Sequence, residues 1–197
     1  MSEEKNRGTE GRTRSKTLPK VAFVALFAAL VAAGSFISVP IGPVPIILNN
    51  LFTMLAGLVL GPVLGGAAVG LYLLGGLVGL PIFAGGSSGI ARFAGPTGGY
   101  LIGFLLSAIA VGLIARRPVA GEKLPFPRIV AAIVVGIVIV YIPGVFWLKS
   151  KLDLTWARAL MVGAVPFLVG DALKGVAVAL ISRRLRRTAA DVLDGTK

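Results

Sequence analysis

Cysteine and histidine are both absent from this 197-residue sequence, and charged residues make up only 14% of it. Without cysteine and histidine the chain cannot form disulfides, Cys/His metal sites, thiol nucleophiles, Ser-His triads or histidine proton relays. The chemistry that remains to the side chains is therefore that of carboxylates and basic groups.

Charge is missing from most of the length of the chain. Residues 21–91 are 71 consecutive positions without Asp, Glu, Lys, Arg or His, and residues 93–115, 129–148 and 159–182 are also long and apolar. A soluble domain contains about 25% charged residues, whereas a helix that crosses the bilayer core needs about 20 apolar residues. The sequence therefore predicts an all-α membrane protein with six transmembrane helices.

Proline and glycine mark the ends of the predicted helices. The helices cover residues 21–39, 46–60, 63–80, 97–115, 129–148 and 156–182. Pro40, Pro43 and Pro45 break the chain after the first helix, and non-helical backbone at membrane depth must be shielded or line a cavity. A kink is predicted at Pro143 in the fifth helix.

Lys and Arg lie mainly on one side of the predicted bundle. If the N-terminus is inside, 15 of the 20 basic residues fall on the inner side and four on the outer side, as the positive-inside rule expects. Both termini are therefore predicted to be cytoplasmic, with a disordered tail over 1–20, a membrane domain over 21–182 and a basic tail over 183–197. This pattern explains the net charge of +12 without a nucleic-acid partner.

Asp171 and Lys174 lie inside the sixth predicted helix, where a charged group costs about 2.5–3.5 kcal/mol on insertion scales. Their spacing of three residues places both side chains on one face of that helix. Taken alone, the pair fits an internal ion pair and a site for a polar ligand equally well.

Arg92 lies in a Gly-rich loop within an otherwise uncharged region over residues 21–115. It is either an interfacial arginine bound to lipid phosphates or a clamp for a carboxylate, which the planar guanidinium suits better than lysine does. The loop is not a phosphate loop, because no Lys follows its glycines and no strand precedes them.

Several uncharged residues have two interpretations. Asn49, beside Asn50, either caps an apolar helix or offers its amide to a ligand. Four aromatic residues either pack in the bundle or form the wall of a pocket: Tyr72, Phe83, Tyr100 and Trp147. The first predicted helix carries a stripe of small residues, Ala25, Ala29 and Ala33. This stripe either packs inside the bundle or docks a partner protein.

Five segments, VPIGPVPIILNN, LAGLVLGP, YLLGGLVGLPIFAGG, GPTGGYLIGF and PFLVGDALKG, resemble in this order the BioY family of biotin transporters. These proteins are the substrate-binding S components of energy-coupling-factor (ECF) transporters. The resemblance extends over residues 21–181, and GPTGGYL with a downstream Gly-Asp-x-x-Lys is its most specific part. It implies a six-helix S-component fold that binds biotin with high affinity and acts in biotin uptake.

The resemblance also implies residue roles. Arg92 would hold the valerate carboxylate of biotin, Asp171 would accept the N–H groups of the ureido ring, and Lys174 would donate to the ureido carbonyl. Asn49 and Tyr72 complete the predicted substrate site. The chain has Ile47 and Asn49 where family members commonly have Thr or Ser and then Gln.

Partners and location follow from the same resemblance. The alanine stripe Ala25, Ala29 and Ala33 resembles the face that docks on the transmembrane coupling subunit, which works with two ATPase subunits. The chain itself would be no enzyme, hold no cofactor and bind no ATP. It would be a multi-pass protein of the prokaryotic plasma (inner) membrane.

Three other functions are alternatives to biotin transport. An ion-coupled secondary transporter of a small carboxylate-bearing solute, with Asp171 as the coupling carboxylate, is the main alternative. An intramembrane aspartyl protease needs two carboxylates that share a proton, and the nearest other acids, Glu122 and Asp153, lie in loops at opposite ends of the predicted bundle. A structural scaffold would bind no ligand.

Overall fold

The structure is a computed structural model that describes residues 2–39 and 43–193. Helices dominate the described part of the chain. In order, the elements are α1 (Ser2–Phe36), β1 (Ser38–Val39), β2 (Ile46–Ile47), α2 (Asn49–Leu77), a 3₁₀ turn (Ala84–Gly86), α3 (Ile90–Ala94), α4 (Gly98–Ala115), α5 (Phe126–Leu152), α6 (Trp156–Gly163) and α7 (Val165–Leu193).

The α2 element consists of two helical segments that reverse direction at Gly61. Gly61 has φ 79° and ψ −176°, a conformation that is essentially confined to glycine, and Pro62 follows without an amide hydrogen. A Cβ added to Gly65 would lie 2.8 Å from the Ala56 carbonyl oxygen, so the two segments pack side by side. The predicted second and third helices are therefore both present, and the described chain makes six helical passes.

The chain between α1 and α2 is a short antiparallel pairing of Ser38–Val39 with Ile46–Ile47. Because these residues are extended, the first helix ends at Phe36 instead of residue 39, and the second begins at Asn49 instead of residue 46. Pro40, the first proline of the predicted break, lies outside the described residues.

The third predicted helix is shorter than expected, because α2 ends at Leu77 instead of residue 80. Gly79 has φ 109°, and Pro81 follows, so the helix cannot continue. The Gly-rich loop then leads through the 3₁₀ turn and α3 into α4, which agrees with the prediction to within one residue at its start.

The fifth and sixth predicted helices differ from the structure in continuity. Helix α5 continues through Pro143, so the predicted kink does not interrupt it. The last pass is divided at Ala164, which has φ −131° and ψ −58°. Pro166 has no amide hydrogen to bond with the Val162 carbonyl, so a single continuous helix over 156–182 is disfavoured.

Helical backbone extends into both predicted tails. Helix α1 begins at Ser2 and α7 ends at Leu193, whereas the sequence predicts a disordered tail over 1–20 and a tail from residue 183. Both extensions continue a membrane helix, so no new nucleus is needed, and their Glu, Lys and Arg residues are good helix formers. Residues 194–197 of the predicted tail lie outside the described part.

The outer surface of the bundle is apolar. On α7, Val169, Leu173 and Leu180 expose 73%, 69% and 68% of their surface. The described residues include five helices long and apolar enough to cross a membrane, one of which is the double pass α2. Because such a surface is stable in lipid and not in water, the chain is an integral membrane protein.

The start of α1 and the end of α7 lie at the same end of the bundle. A Cβ on Gly34, near the end of α1, would lie 2.9 Å from Asn49, so α1 runs antiparallel to the first segment of α2. At the other end, Arg186 of α7 donates to the carbonyl of Leu58, close to the turn at Gly61. That this end is cytoplasmic stays a prediction from the charge pattern.

Candidate functional site

One cavity brings together all the residues predicted for the substrate site. It lies among α2, α4, α5, α7 and the Gly-rich loop, and it contains about 610 Å³ of atom-free space, including its mouth. Its lining includes Arg92, Asp171, Lys174, Asn49 and Tyr72. The five predicted residues therefore line one hollow, which is the arrangement that a single ligand would need.

Asp171 and Lys174 form an ion pair that faces this cavity. Their Oδ1 and Nζ atoms are 3.0 Å apart, and their side chains are only 6% and 11% exposed. Tyr141 donates its hydroxyl to the other oxygen of Asp171 over 2.5 Å, and Lys174 donates to the Ile47 carbonyl over 2.8 Å. The internal ion pair is therefore present and also lines the cavity, and its role in ligand binding stays a prediction.

The pair keeps hydrogen-bonding capacity for a ligand. An ammonium has three donors, and Lys174 uses two of them, on Asp171 and Ile47. A carboxylate has roughly four acceptor sites, and Asp171 uses one on each oxygen. Lys174 thus keeps one free N–H donor, and Asp171 keeps free acceptor sites beside it. A neutral ligand group that both donates and accepts hydrogen bonds would match this arrangement.

Arg92 supplies a cation on another side of the cavity. It lies on the short helix α3, and its half-buried side chain contributes to the lining. The Gly89 amide that precedes α3 donates to the Gly76 carbonyl over 2.7 Å, which attaches the loop to the end of α2. Within the described residues no carboxylate pairs with Arg92, so its guanidinium is available to an anionic ligand.

The amide of Asn49 is buried without a partner. Asn49 is the first residue of α2, where the cap residue is Leu48 and no side chain caps the helix. Both Oδ1 and Nδ2 of Asn49 lack a hydrogen-bond partner in the described part of the chain. Capping therefore does not explain this residue, and its amide, which lies beside the Tyr72 hydroxyl, can bond to a ligand.

Aromatic rings form the apolar wall of the cavity. Tyr72 packs edge-to-face on Phe83 with 5.4 Å between ring centroids, and its hydroxyl lies 2.8 Å from Ser35 Oγ. Tyr100, also in the lining, donates its hydroxyl to the Gly163 carbonyl. Trp147, the fourth predicted aromatic residue, is not part of the wall.

Trp147 instead anchors the Gly-rich loop. Its indole N–H donates to the Gly95 carbonyl over 3.0 Å. Gly99 of α4 packs directly against Trp147 and Pro143, where a Cβ would overlap both. This close approach of α4 to α5 positions the loop that carries Arg92.

Tyr141 is a polar residue of the site that was not among the predicted site residues. It is the one hydroxyl-bearing residue in the otherwise apolar segment 129–148, and a polar group at membrane depth is a signal that it needs a partner. Phe104 and Phe167 also line the cavity, but nothing distinguishes them in sequence from packing residues.

The alanine stripe lies outside the bundle. Ala25, Ala29 and Ala33 are all exposed on α1, so the stripe does not pack against another helix of the described chain. Docking of a partner protein on this outward face stays a prediction.

The sequence of this chain is similar to those of known proteins over most of its length. The biotin transporter BioY of Thermotoga maritima is 42% identical over 162 residues, which cover 82% of this chain and 92% of that protein. The biotin transporter BioY of Lactococcus lactis is 35% identical over 175 residues, covering 87% and 91% respectively.

The fold is also that of a solved S component. The crystal structure of the S-component for biotin from an ECF-type ABC transporter matches with a TM-score of 0.77 and 31% identity, covering 87% of this chain and 92% of that one. The model of the BioY family matches residues 6–191. The chain therefore belongs to the BioY family.

Proposed function

We propose that this protein is the biotin-binding S component of an ECF transporter in a prokaryotic plasma membrane. The observation that carries the proposal is the lining of one cavity by an unpaired guanidinium and an Asp-Lys pair, in a chain of the BioY family. Biotin has a carboxylate at one end and a cyclic urea at the other, so its polar groups match these side chains. The similarity to a biotin S component favours this function over an ion-coupled secondary transporter.

In this proposal Arg92 holds the valerate carboxylate. A guanidinium can donate two parallel hydrogen bonds to a carboxylate, and Arg92 has no competing acid in the described part of the chain. Because the side chain is half-buried, water screens such a pair less than it would on an open surface. The anionic tail of biotin would therefore contribute to both affinity and orientation.

The ureido ring would bind at the Asp171–Lys174 pair. Asp171 would accept the ring N–H groups with its remaining lone pairs, and Lys174 would donate its third N–H to the carbonyl. Asn49 would add an amide that can donate or accept, and Tyr72 would contribute apolar contact with its ring, since its hydroxyl lies within hydrogen-bond distance of Ser35.

Uptake would need partner subunits. The exposed stripe Ala25, Ala29 and Ala33 would dock on the transmembrane coupling subunit, because small side chains let two helices approach closely. Two ATPase subunits would supply the energy, while this chain binds and releases the vitamin without an enzymatic step.

Equilibrium binding of radiolabelled biotin to the purified full chain in detergent tests the function. We expect saturation at about one biotin per chain, and we expect unlabelled biotin to compete. In proteoliposomes, the amount of bound biotin should not change when a proton gradient is collapsed. Absence of saturable binding by folded protein would contradict the proposal, and binding that depends on an ion gradient would favour the secondary transporter.

A further inference from the structure

A second cavity lies at the end of the bundle that holds the Gly61 turn. It contains about 1100 Å³ of atom-free space, including its mouth, between α7 and the loop that precedes α5. Its charged lining residues are Glu122, Lys123, Arg183, Arg184, Arg186 and Arg187. Five cations and one acid therefore surround a single hollow.

Arg186 is used by the protein itself. Its guanidinium donates to the carbonyl of Leu58, and to those of Arg116 and Ala115 over 3.1 and 3.2 Å. These carbonyls belong to the ends of two helices, where backbone acceptors lack partners and the helix dipole is negative. Arg186 thus fastens α7 to α2 and α4, and it forms the wall of the hollow.

The other cations are not neutralised by the protein. Lys123, Arg184 and Arg187 are exposed, and in the described part of the chain none of them forms an ion pair. Arg183 lies over the Phe126 ring at 5.3 Å, which leaves its positive charge uncompensated by an acid. The hollow therefore attracts an anion.

The floor of the same hollow is apolar. Leu124, Ile129 and Leu180 complete its lining. From Leu180 the apolar surface continues along α7 to Val176, which is 59% exposed, and on the neighbouring α5 to Val130, which is 40% exposed. A basic rim above an apolar, lipid-facing surface matches an amphiphile with an anionic head.

We propose that this hollow, formed by the basic rim and the floor, binds one anionic phospholipid. The phosphate contacts Lys123, Arg184 and Arg187, and the acyl chains lie along the outward faces of α5 and α7. A basic rim alone would equally suit an acidic protein surface. The apolar floor that continues into the bilayer-facing surface favours the lipid, and the proposal does not depend on what the other cavity binds.

Native mass spectrometry of the purified full chain tests the site. The protein is equilibrated with dioleoylphosphatidylglycerol or dioleoylphosphatidylcholine at equal mole fractions in detergent, and the retained lipids are counted. We expect preferential retention of one phosphatidylglycerol, and a loss of about tenfold or more in its affinity in K123Q/R184Q/R187Q, because the three cations act together. The exposed single variant R187Q should show a smaller loss in the same direction.

The matched control removes three cations from the opposite end of the bundle. K149Q/K151Q/R158Q changes the net charge equally and should retain phosphatidylglycerol as the unaltered chain does. Equal retention of the two lipids, or equal losses in both triple variants, would overturn the proposal. Equal affinities for phosphatidylglycerol and for glycerophosphoglycerol, which has the same head group without acyl chains, would indicate a free-anion site. Tighter binding of a polyglutamate peptide than of phosphatidylglycerol would indicate an acidic protein partner, and either result would overturn the proposal as well.

Discussion

The Nζ atom of Lys174 donates a hydrogen bond to the backbone carbonyl of Ile47 over 2.8 Å. Ile47 belongs to β2, directly before α2, so one side chain connects the last helix to the first loop. The same ammonium pairs with Asp171. One of the two groups that we assign to the ureido ring of biotin is therefore bonded to a loop that lines the cavity, and it holds the other group in an ion pair.

Replacing Lys174 by Met should weaken biotin binding while the protein stays folded. Met keeps much of the length of the side chain but removes the donor, and a hydrogen bond to a charged group contributes about 1.5–3 kcal/mol. We expect the affinity measured by isothermal titration calorimetry to fall about tenfold or more. Lys151→Met, at an exposed site, is the control. Unchanged affinity would contradict the assignment of Lys174.

Asp171→Asn should lower the affinity for every ligand that carries the ureido ring. The amide keeps the size of the side chain but removes one acceptor oxygen and the charge that pairs with Lys174. Desthiobiotin has the same ureido group without the sulfur-containing ring, so we expect biotin and desthiobiotin to lose affinity by the same factor. Competition against radiolabelled biotin measures both ligands.

Asp153→Asn is the matched control for this pair of ligands, because Asp153 is an exposed cap at the end of α5. Its affinities should equal those of the unaltered chain. If Asp171→Asn unfolds in detergent while its folded fraction binds both ligands normally, Asp171 serves only as an internal ion-pair partner.

Ala29→Phe should separate binding from transport. A phenyl ring on the exposed stripe would keep a partner helix at a distance but lies outside the cavity, so purified protein should bind biotin normally. Uptake in cells that also contain the coupling subunits should fall about tenfold or more. Ala131→Phe, on the exposed face of α5, should leave uptake intact, and normal uptake by Ala29→Phe would remove the docking assignment.

Gly61→Ala should destabilise the bundle. Gly61 has φ 79°, and holding another residue in such a conformation costs about 1–3 kcal/mol. A Cβ there would also lie 3.2 Å from the Cα of Arg117. We expect a lower Tm in detergent, whereas Gly70→Ala, where a Cβ meets nothing within 4 Å, should keep or raise it. Equal Tm values would show that the turn relaxes without strain.

The six helical passes and the convergence of the charged residues could be predicted from sequence. Long uncharged segments have no stable alternative to membrane helices, and the cost of a charge in the bilayer forces Asp171 and Lys174 toward the interior. Arg92 could be placed near them only through the resemblance, because its loop has no periodic pattern that fixes a direction.

Other features depend on tertiary contacts that no local pattern encodes. The hydrogen bond between Tyr141 and Asp171 joins residues 30 positions apart. The pairing of Ile46–Ile47 with β1 replaces the start of a predicted helix. Helix α5 is continuous through Pro143, whereas the last pass is divided near Pro166, which the sequence did not predict. The effect of a proline thus depends on which neighbouring groups satisfy the freed carbonyl.

The most direct measurement compares biotin with biotin methyl ester on the unaltered chain and on Arg92→Ala, with Arg158→Ala as an exposed arginine control. The ester keeps the ureido ring but has no carboxylate charge. We expect Arg92→Ala to weaken biotin about tenfold or more, in line with a charged hydrogen bond, and to leave the ester nearly unchanged. Equal losses for the two ligands would contradict the account of Arg92 as the carboxylate receptor in this cavity.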